Sequence, residues 1–314
     1  MSRWSSLAAL LLAACATIVP DVPVRLTLGT ATPGGGFPVY GEAFARAIHE
    51  ADPALTLEPR NTKGSGENIP LLEEGKLDLA LVAGEPAHEA LAGIGRAPAK
   101  LKVVAAMYAT AGMFVVRADS PYRSIHDLKG KPVAWGARAS GFVNQAGYVV
   151  NALGLDRDRD FQAIYLERAA DGPAMLRDGR VAALWGGGLG WPGFIEAAKA
   201  PGGARFIAPS DGEVKLILAR HPFLKPVTIP AGSYPGQGEA IDSVGSWSFV
   251  FARPGLPDDV AYRVMRALHR GEAKLGASLP QARETSAANT LAASDPTLIH
   301  PGAMRYLREA GIAR

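Results

Sequence analysis

The sequence predicts an α/β protein folded as two lobes around mainly parallel sheets, and three observations predict it. Short apolar runs alternate with stretches of helical periodicity along most of the chain, the order that builds parallel sheets covered by helices. Two similar apolar segments, residues 113–118 and 247–253, are each followed closely by an acidic residue and a proline, and they read as two strands crossing between the lobes. From Pro257 onward, Val260, Val264, Met265 and Leu268 share one helical face, which suits this tail to pack back on the first lobe. Lobe I is then expected in residues 24–116 plus 249–314 and lobe II in residues 117–248. With 314 residues, 48% of them apolar and 20% charged, the chain buries one large core or two moderate ones.

Residues 1–15 combine one positive charge, a short apolar run and small residues, which reads as a secretory signal because the run is too short to span a bilayer. Its end, Leu12-Ala-Ala-Cys15, resembles the bacterial lipobox, in which cleavage leaves the cysteine lipid-modified; the alternative is ordinary cleavage near Ala14 or Ala16. The expectation is an exported protein of the periplasm or cell envelope, lipid-anchored through Cys15. Cys15 is the only cysteine, so the mature fold has no disulfide of its own and no thiolate metal cluster. No later segment approaches the apolar length needed to cross a membrane.

Residues 25–30 form the first expected strand. They feed Thr30-Ala-Thr-Pro-Gly-Gly-Gly-Phe-Pro38, whose glycines permit close approach of a ligand to backbone amides. Pro38 suits the first turn of the helix that Val39, Ala43, Phe44, Ala47 and Ile48 continue. A second strand leads into Lys63-Gly-Ser-Gly-Glu-Asn68, and residues 77–83 form the next. Further strands are expected at residues 102–107, 113–117, 132–135, 163–167 and 181–185. After the strand ending at Trp135 comes Gly136-Ala-Arg-Ala-Ser-Gly-Phe-Val-Asn144.

In open parallel sheets ligands bind beyond the carboxyl ends of the strands. Each of these three glycine-rich junctions aims helix-start N–H groups and a hydroxyl or amide at one point, an arrangement that favours a carboxylate or other anion. One such turn would only cap a helix; three at the mouths of two lobes point to an enclosed, electropositive site.

Other chemistries lack their signatures. Lys plus Arg number 33 and Asp plus Glu 30, spread without like-charged runs, so the net charge of +3 argues against a nucleic-acid partner. No P-loop spacing is present, and Gly186-Gly-Gly-Leu-Gly190 lacks the dinucleotide fingerprint, so no cofactor is expected. The six histidines, at 49, 88, 126, 221, 269 and 300, show no metal-ligand spacing and read as structural or solvated.

Taken together, these stretches resemble the TAXI family of TRAP-transporter solute receptors over almost the whole mature chain. The resemblance rests on Gly29-Thr-Ala-Thr-Pro-Gly-Gly35, on Gly64-Ser-Gly-Glu-Asn68 and on Leu72-Glu-Glu-Gly-Lys-Leu-Asp-Leu-Ala80. It rests also on Pro230-Ala-Gly-Ser-Tyr-Pro-Gly-Gln237 and His300-Pro-Gly-Ala-Met-Arg-Tyr306; the run Asp127–Lys131 is shared more widely. The resemblance implies a two-lobed, type II periplasmic-binding-protein fold closing over a small organic acid or amino acid such as glutamate. It also implies a membrane permease driven by an ion gradient as partner, and the receptor is expected to be a monomer. The family's Gly-Ala-Pro-Gly-Ser-Gly-Thr loop is here Gly136-Ala-Arg-Ala-Ser-Gly-Phe142, and Leu184-Trp-Gly-Gly-Gly-Leu-Gly-Trp-Pro192 adds two tryptophans. Phe37, Phe142 and Trp185 near the cleft would favour an aromatic or bulkier acid.

The candidate substrate-binding residues follow from these loops. Thr30, Ala31, Thr32, Gly35, Gly36, Phe37 and Tyr40 belong to the first, Ser65 and Asn68 to the second, and Arg138, Ala139, Ser140, Gly141 and Asn144 to the third. Trp185, Gly187 and Gly188 lie at the later small-residue turn. Arg138 is either a bidentate partner for a carboxylate or an exposed loop-tip arginine. Ser65, Asn68, Ser140 and Asn144 either bond a ligand or satisfy local backbone. Tyr40 and Tyr234 offer aromatic walls with polar tips, Tyr234 alternatively bracing its own turn. Glu85 meets a ligand ammonium or caps the helix beginning near Pro86. An enzyme on the same scaffold is the first rival reading, disfavoured by the lack of a nucleophile elbow, a Ser or Cys with a His base, or a close acid pair. A sensory or adaptor lobe and a receptor for an ATP-driven importer would present the same cleft.

Overall fold

The computed structural model describes residues 22–314; the expected leader and Cys15 lie outside the described residues. In β1 (Val24–Gly29) alternate residues Leu26 and Leu28 turn inward, the period of a strand with one face on a core. In α1 (Gly36–Ala51), Tyr40, Phe44, Ala47 and Ile48 recur at helical spacing and are buried, so the helix lies flat on the sheet. The same alternation continues through β2 (Leu55–Arg60), α2 (Ser65–Glu73), β3 (Leu79–Val82) and α3 (Gly84–Ala92). β4 (Lys102–Arg117) then leads to β5 (Pro132–Ala137), α4 (Gly141–Ala152), β6 (Gln162–Leu166), α5 (Asp171–Arg177), β7 (Ala183–Gly187) and α6 (Pro192–Lys199). β8 (Ala204–Ile207), α7 (Asp211–Arg220) and β9 (Lys225–Ile229) precede β10 (Ile241–Ala252), and α8 (Asp258–Ser278), α9 (Ala287–Ala293) and α10 (Pro301–Glu309) close the chain.

The strands form one curled sheet in the order β2-β1-β3-β10-β4-β7-β5-β6, with β8 beside β4 and β9 beside β10. Within each half the outer pairs are parallel, β1 with β2 and β3, and β5 with β6 and β7. Every pair made by β4 or β10 is antiparallel, because one strand leaves the first half and the other returns to it. The sheet is therefore mixed where these strands cross and parallel outside them.

β4 is one continuous strand where the sequence suggests two. The stretch Ala109-Thr-Ala-Gly112 reads as a break because its residues are small, yet their smallness serves close backbone approach. A Cβ on Gly245 would overlap the Thr110 carbonyl, and one on Gly187 would overlap that of Ala111. β8 and β9, at the edges of the crossing pair, add two short strands beyond those expected.

The C-terminal helices pack on the first half, as the face of Val264, Met265 and Leu268 predicts. Leu28, Phe44, Ile48, Val264, Met265, Leu268 and Leu307 share one core. In the second half Phe114 meets Trp135 and Trp185 edge-on, at centroid separations of 5.5 Å and 4.7 Å. A buried ion pair ties α8 to the end of α1: Arg263 Nη2 donates to Asp52 Oδ1 at 2.9 Å and Nε to Oδ2 at 3.1 Å. Burial alone would raise the Asp52 carboxyl, but the guanidinium groups of Arg263 and Arg266 outweigh it and hold the carboxyl below its ordinary range. Among the described residues no helix is long and apolar enough to cross a membrane, and no cluster of His, Cys, Asp and Glu is placed to hold a metal.

Candidate functional site

Five strand-to-helix junctions meet at a single cavity between the two halves of the sheet. From the first half come Gly35, Gly36 and Phe37 at the start of α1, Gly64 and Ser65 at the start of α2, and Ala83 and Glu85 at the start of α3. From the second come Ser140, Gly141 and Phe142 at the start of α4, with Gly187, Gly188 and Trp191 between β7 and α6. The cavity offers about 60 Å³ and most of its wall is apolar.

The walls touch one another directly. Gly66 N–H donates to Ala139 O at 3.0 Å, and Ala169 and Ala170 N–H donate to Thr32 Oγ1 at 3.2 Å and Pro33 O at 3.3 Å. Nearer the rim, Asn144 Nδ2 donates to Glu89 Oε2 at 2.8 Å, and the His88 and Phe223 rings stack at 4.1 Å. These contacts describe a shut cleft.

Of the residues expected at a site, Ala31, Thr32, Gly35, Gly36, Phe37, Ser65, Glu85, Ser140, Gly141, Trp185, Gly187 and Gly188 line the cavity, as does Phe142. The two serines also serve the backbone: Ser65 Oγ accepts from Ala83 N–H at 3.0 Å and Ser140 Oγ from Phe142 N–H at 3.2 Å, which leaves their O–H groups to donate.

The others lie elsewhere. Tyr40 is buried in the first core and its hydroxyl pairs with Thr285 Oγ1 at 3.2 Å, because its spacing with Phe44 places it on the inner face of α1. Asn68 is consumed by structure, its Nδ2 donating to Thr30 O at 2.8 Å and Leu81 O at 2.7 Å, while Thr30 Oγ1 donates to Arg60 O. Tyr234 donates to Gly188 O and accepts from Trp191 N–H, so it braces the turn behind the cavity rather than its own. Ala139 contributes its carbonyl to the contact with Gly66, and Asn144 its amide to Glu89.

Arg138 is exposed, its guanidinium 4.2 Å from the centroid of the Tyr165 ring, and it does not line the cavity. It is the first residue after β5, at an exposed position of the turn that leads into α4. Arg138→Ala is expected to leave solute affinity within about twofold, and a tenfold loss by calorimetry would return the arginine to the site.

Several cavity residues carry no local sequence signal. Tyr108, Thr110 and Ser248 come from the crossing strands, Gln145 from the second turn of α4, Leu166 and Ala169 from the end of β6 and the loop after it, and Gln281 from the short helix after α8. Gln145 Nε2 donates to Thr110 O at 2.8 Å and to Glu85 Oε1 at 3.2 Å. Glu85 is fully enclosed. Burial pushes its carboxyl up to about 7, against the lowering effect of nearby donors that begin with its own backbone N–H.

Comparison with known proteins agrees with this architecture. Residues 28–311 match the model of the NMT1-like family. Among solved structures the chain is similar to MatC from Rhodopseudomonas palustris with bound malate, at 13% identity over 93% of this chain and 100% of that one, with a TM-score of 0.60. It is similar also to the periplasmic binding protein BugD, at 14% identity over 94% of this chain and 99% of that one, with a TM-score of 0.58. At such identities the likeness establishes the fold: a two-lobed periplasmic-binding-protein fold with a cleft between the lobes.

Proposed function

On the premise that this chain belongs to the NMT1-like family, we propose that it is an extracytoplasmic receptor that traps a small solute between its lobes and hands it to a membrane transporter. One observation carries this reading: helix starts from both lobes converge on one enclosed cavity at their interface. Contacts from both sides give a ligand more interaction with the shut form than with an open one, which is the differential affinity that drives closure.

The finer reading follows the resemblance to TAXI receptors. The solute is a small organic acid or amino acid, the partner is a TRAP permease, and the chain is exported and anchored through Cys15. The MatC structure, whose bound ligand is malate, supports a small carboxylate as the class of cargo. The small cavity favours a compact solute over the bulkier aromatic acid that Phe37, Phe142 and Trp185 suggest.

The test is a thermal-shift panel of amino acids, dicarboxylates, keto acids and aromatic acids on the mature chain. A true solute at a hundredfold excess over its dissociation constant adds about 2.7 kcal/mol and raises the midpoint by several degrees. A panel in which nothing shifts the midpoint would sink the receptor reading.

A further inference from the structure

The cavity has two unlike polar ends and no balancing cation. Glu85 is the only carboxylate on its wall, and no Arg, Lys or His lines it among the described residues. Beside Glu85 lies the Gln145 carboxamide, whose orientation is fixed because two acceptors, Thr110 O and Glu85 Oε1, face its Nε2. Gln145 Oε1 packs beside Gly112, which does not line the cavity, so the acceptor presented here is the Glu85 carboxylate. This end of the cavity accepts hydrogen bonds and calls for a donor.

The start of α1 is the reverse. Its N-cap is Gly35, which supplies no side-chain acceptor, and its first turn holds no acidic residue. Trp191 Cδ1 stands 3.5 Å from the Cβ position of Gly36, and the Trp191 indole N–H, in a residue 4% exposed, has no partner among the described residues. An indole N–H can only donate, so this end calls for an acceptor. The rest of the wall, including Phe37, Phe142 and Leu166, is mainly apolar.

We infer that the solute is a zwitterion, an amino acid with an uncharged side chain, held with its ammonium against Glu85 and its carboxylate against the α1 start and the Trp191 indole. The inference rests on the receptor reading and narrows its substrate class. A dicarboxylate would bring two negative charges into an apolar cavity that already holds Glu85 and has no cation, and burying unpaired charge is costly. A cationic side chain would need a second carboxylate, which the wall does not provide.

The experiment is calorimetry on the full mature chain. The ligands are L-alanine, L-valine, L-leucine, L-phenylalanine and 4-aminobutanoate, the desamino acids propanoate, 3-methylbutanoate, 4-methylpentanoate and 3-phenylpropanoate, and succinate and L-glutamate. At least one neutral amino acid is expected to bind about a hundredfold more tightly than its desamino counterpart and than either diacid. Glu85→Gln is expected to weaken that amino acid by about thirtyfold or more, with an unfolding midpoint no lower than the parent's showing that the variant is folded. If a diacid or desamino acid binds as tightly as the amino acids, or Glu85→Gln leaves the affinity unchanged, the zwitterion assignment falls while the receptor reading stands. If none of the compounds binds and the broader thermal panel is also silent, both fall together.

Discussion

Gly141→Ala is expected to leave the protein folded and to weaken solute capture by about ten- to a hundredfold. Gly141 opens α4 in the second lobe, and a Cβ built there would overlap the Ala83 Cβ of the first lobe while lying 3.2 Å from Ser65 Oγ. Neither neighbour is the free end of a long side chain, so relief requires the lobes to stay apart. Over-packing of this kind costs about 1–3 kcal/mol, and it is exacted only in the shut form. The open form gains a better helix former at the start of α4, so urea unfolding without ligand keeps or raises its midpoint. Affinity falls because the binding-competent population falls. The pair Ala83→Gly with Gly141→Ala removes the Cβ overlap and is expected to recover most of the loss, a coupling that a double-mutant cycle reads directly. Equal affinity in Gly141→Ala and parent would show that solute is held without bringing α4 against Ala83.

What the sequence made legible and what it hid divide along a physical line. The junctions at Gly35–Phe37, Ser65 and Ser140–Gly141 could be found because a strand, a glycine turn and a helix start are neighbours in the chain. The chemistry of such a turn is local, so it survives without knowledge of the fold. Tyr108 and Thr110 could not be found, since they lie inside an apolar strand and face the cavity only because β4 crosses between lobes. Gln145 is one polar residue in a helix, and its importance comes from Thr110 and Glu85, respectively 35 and 60 residues away in the chain. Arg138 misleads for the opposite reason: its residue type suits a carboxylate, but chemistry without direction does not place it in a site. Tyr40 carries its answer in its spacing, since Phe44 four positions on marks the same inner face.

The remaining large effect is on stability, and its sign follows from Glu85. Its carboxyl is raised from 4.5 to about 7 in the folded protein. Between those values the unfolded chain has lost a proton that the folded chain keeps, so stability conferred by the group falls as pH rises through the window and is level above it. A shift of that size corresponds to about 3 kcal/mol. Other groups move the opposite way: His300 and His221 are depressed first by burial, and so stabilise more as pH rises towards their unfolded range. The parent's own pH curve therefore mixes both slopes, and the difference between parent and Glu85→Gln isolates one. That difference is expected to be small near pH 4.5 and to grow until the variant is the more stable by about 3 kcal/mol at pH 8, measured by urea unfolding without ligand. A flat difference across the range would mean that Glu85 is hydrated and the cleft stands open. The rising difference would mean that the protein bears the cost of an uncompensated buried carboxyl at neutral pH. Such a cost has no structural return, since the donors beside the carboxyl, Gln145 Nε2 among them, would bond equally well to the carbonyl of a neutral amide. It is recovered only when a cation reaches Glu85, which links the shape of this pH curve to the ammonium group that the cavity is built to receive.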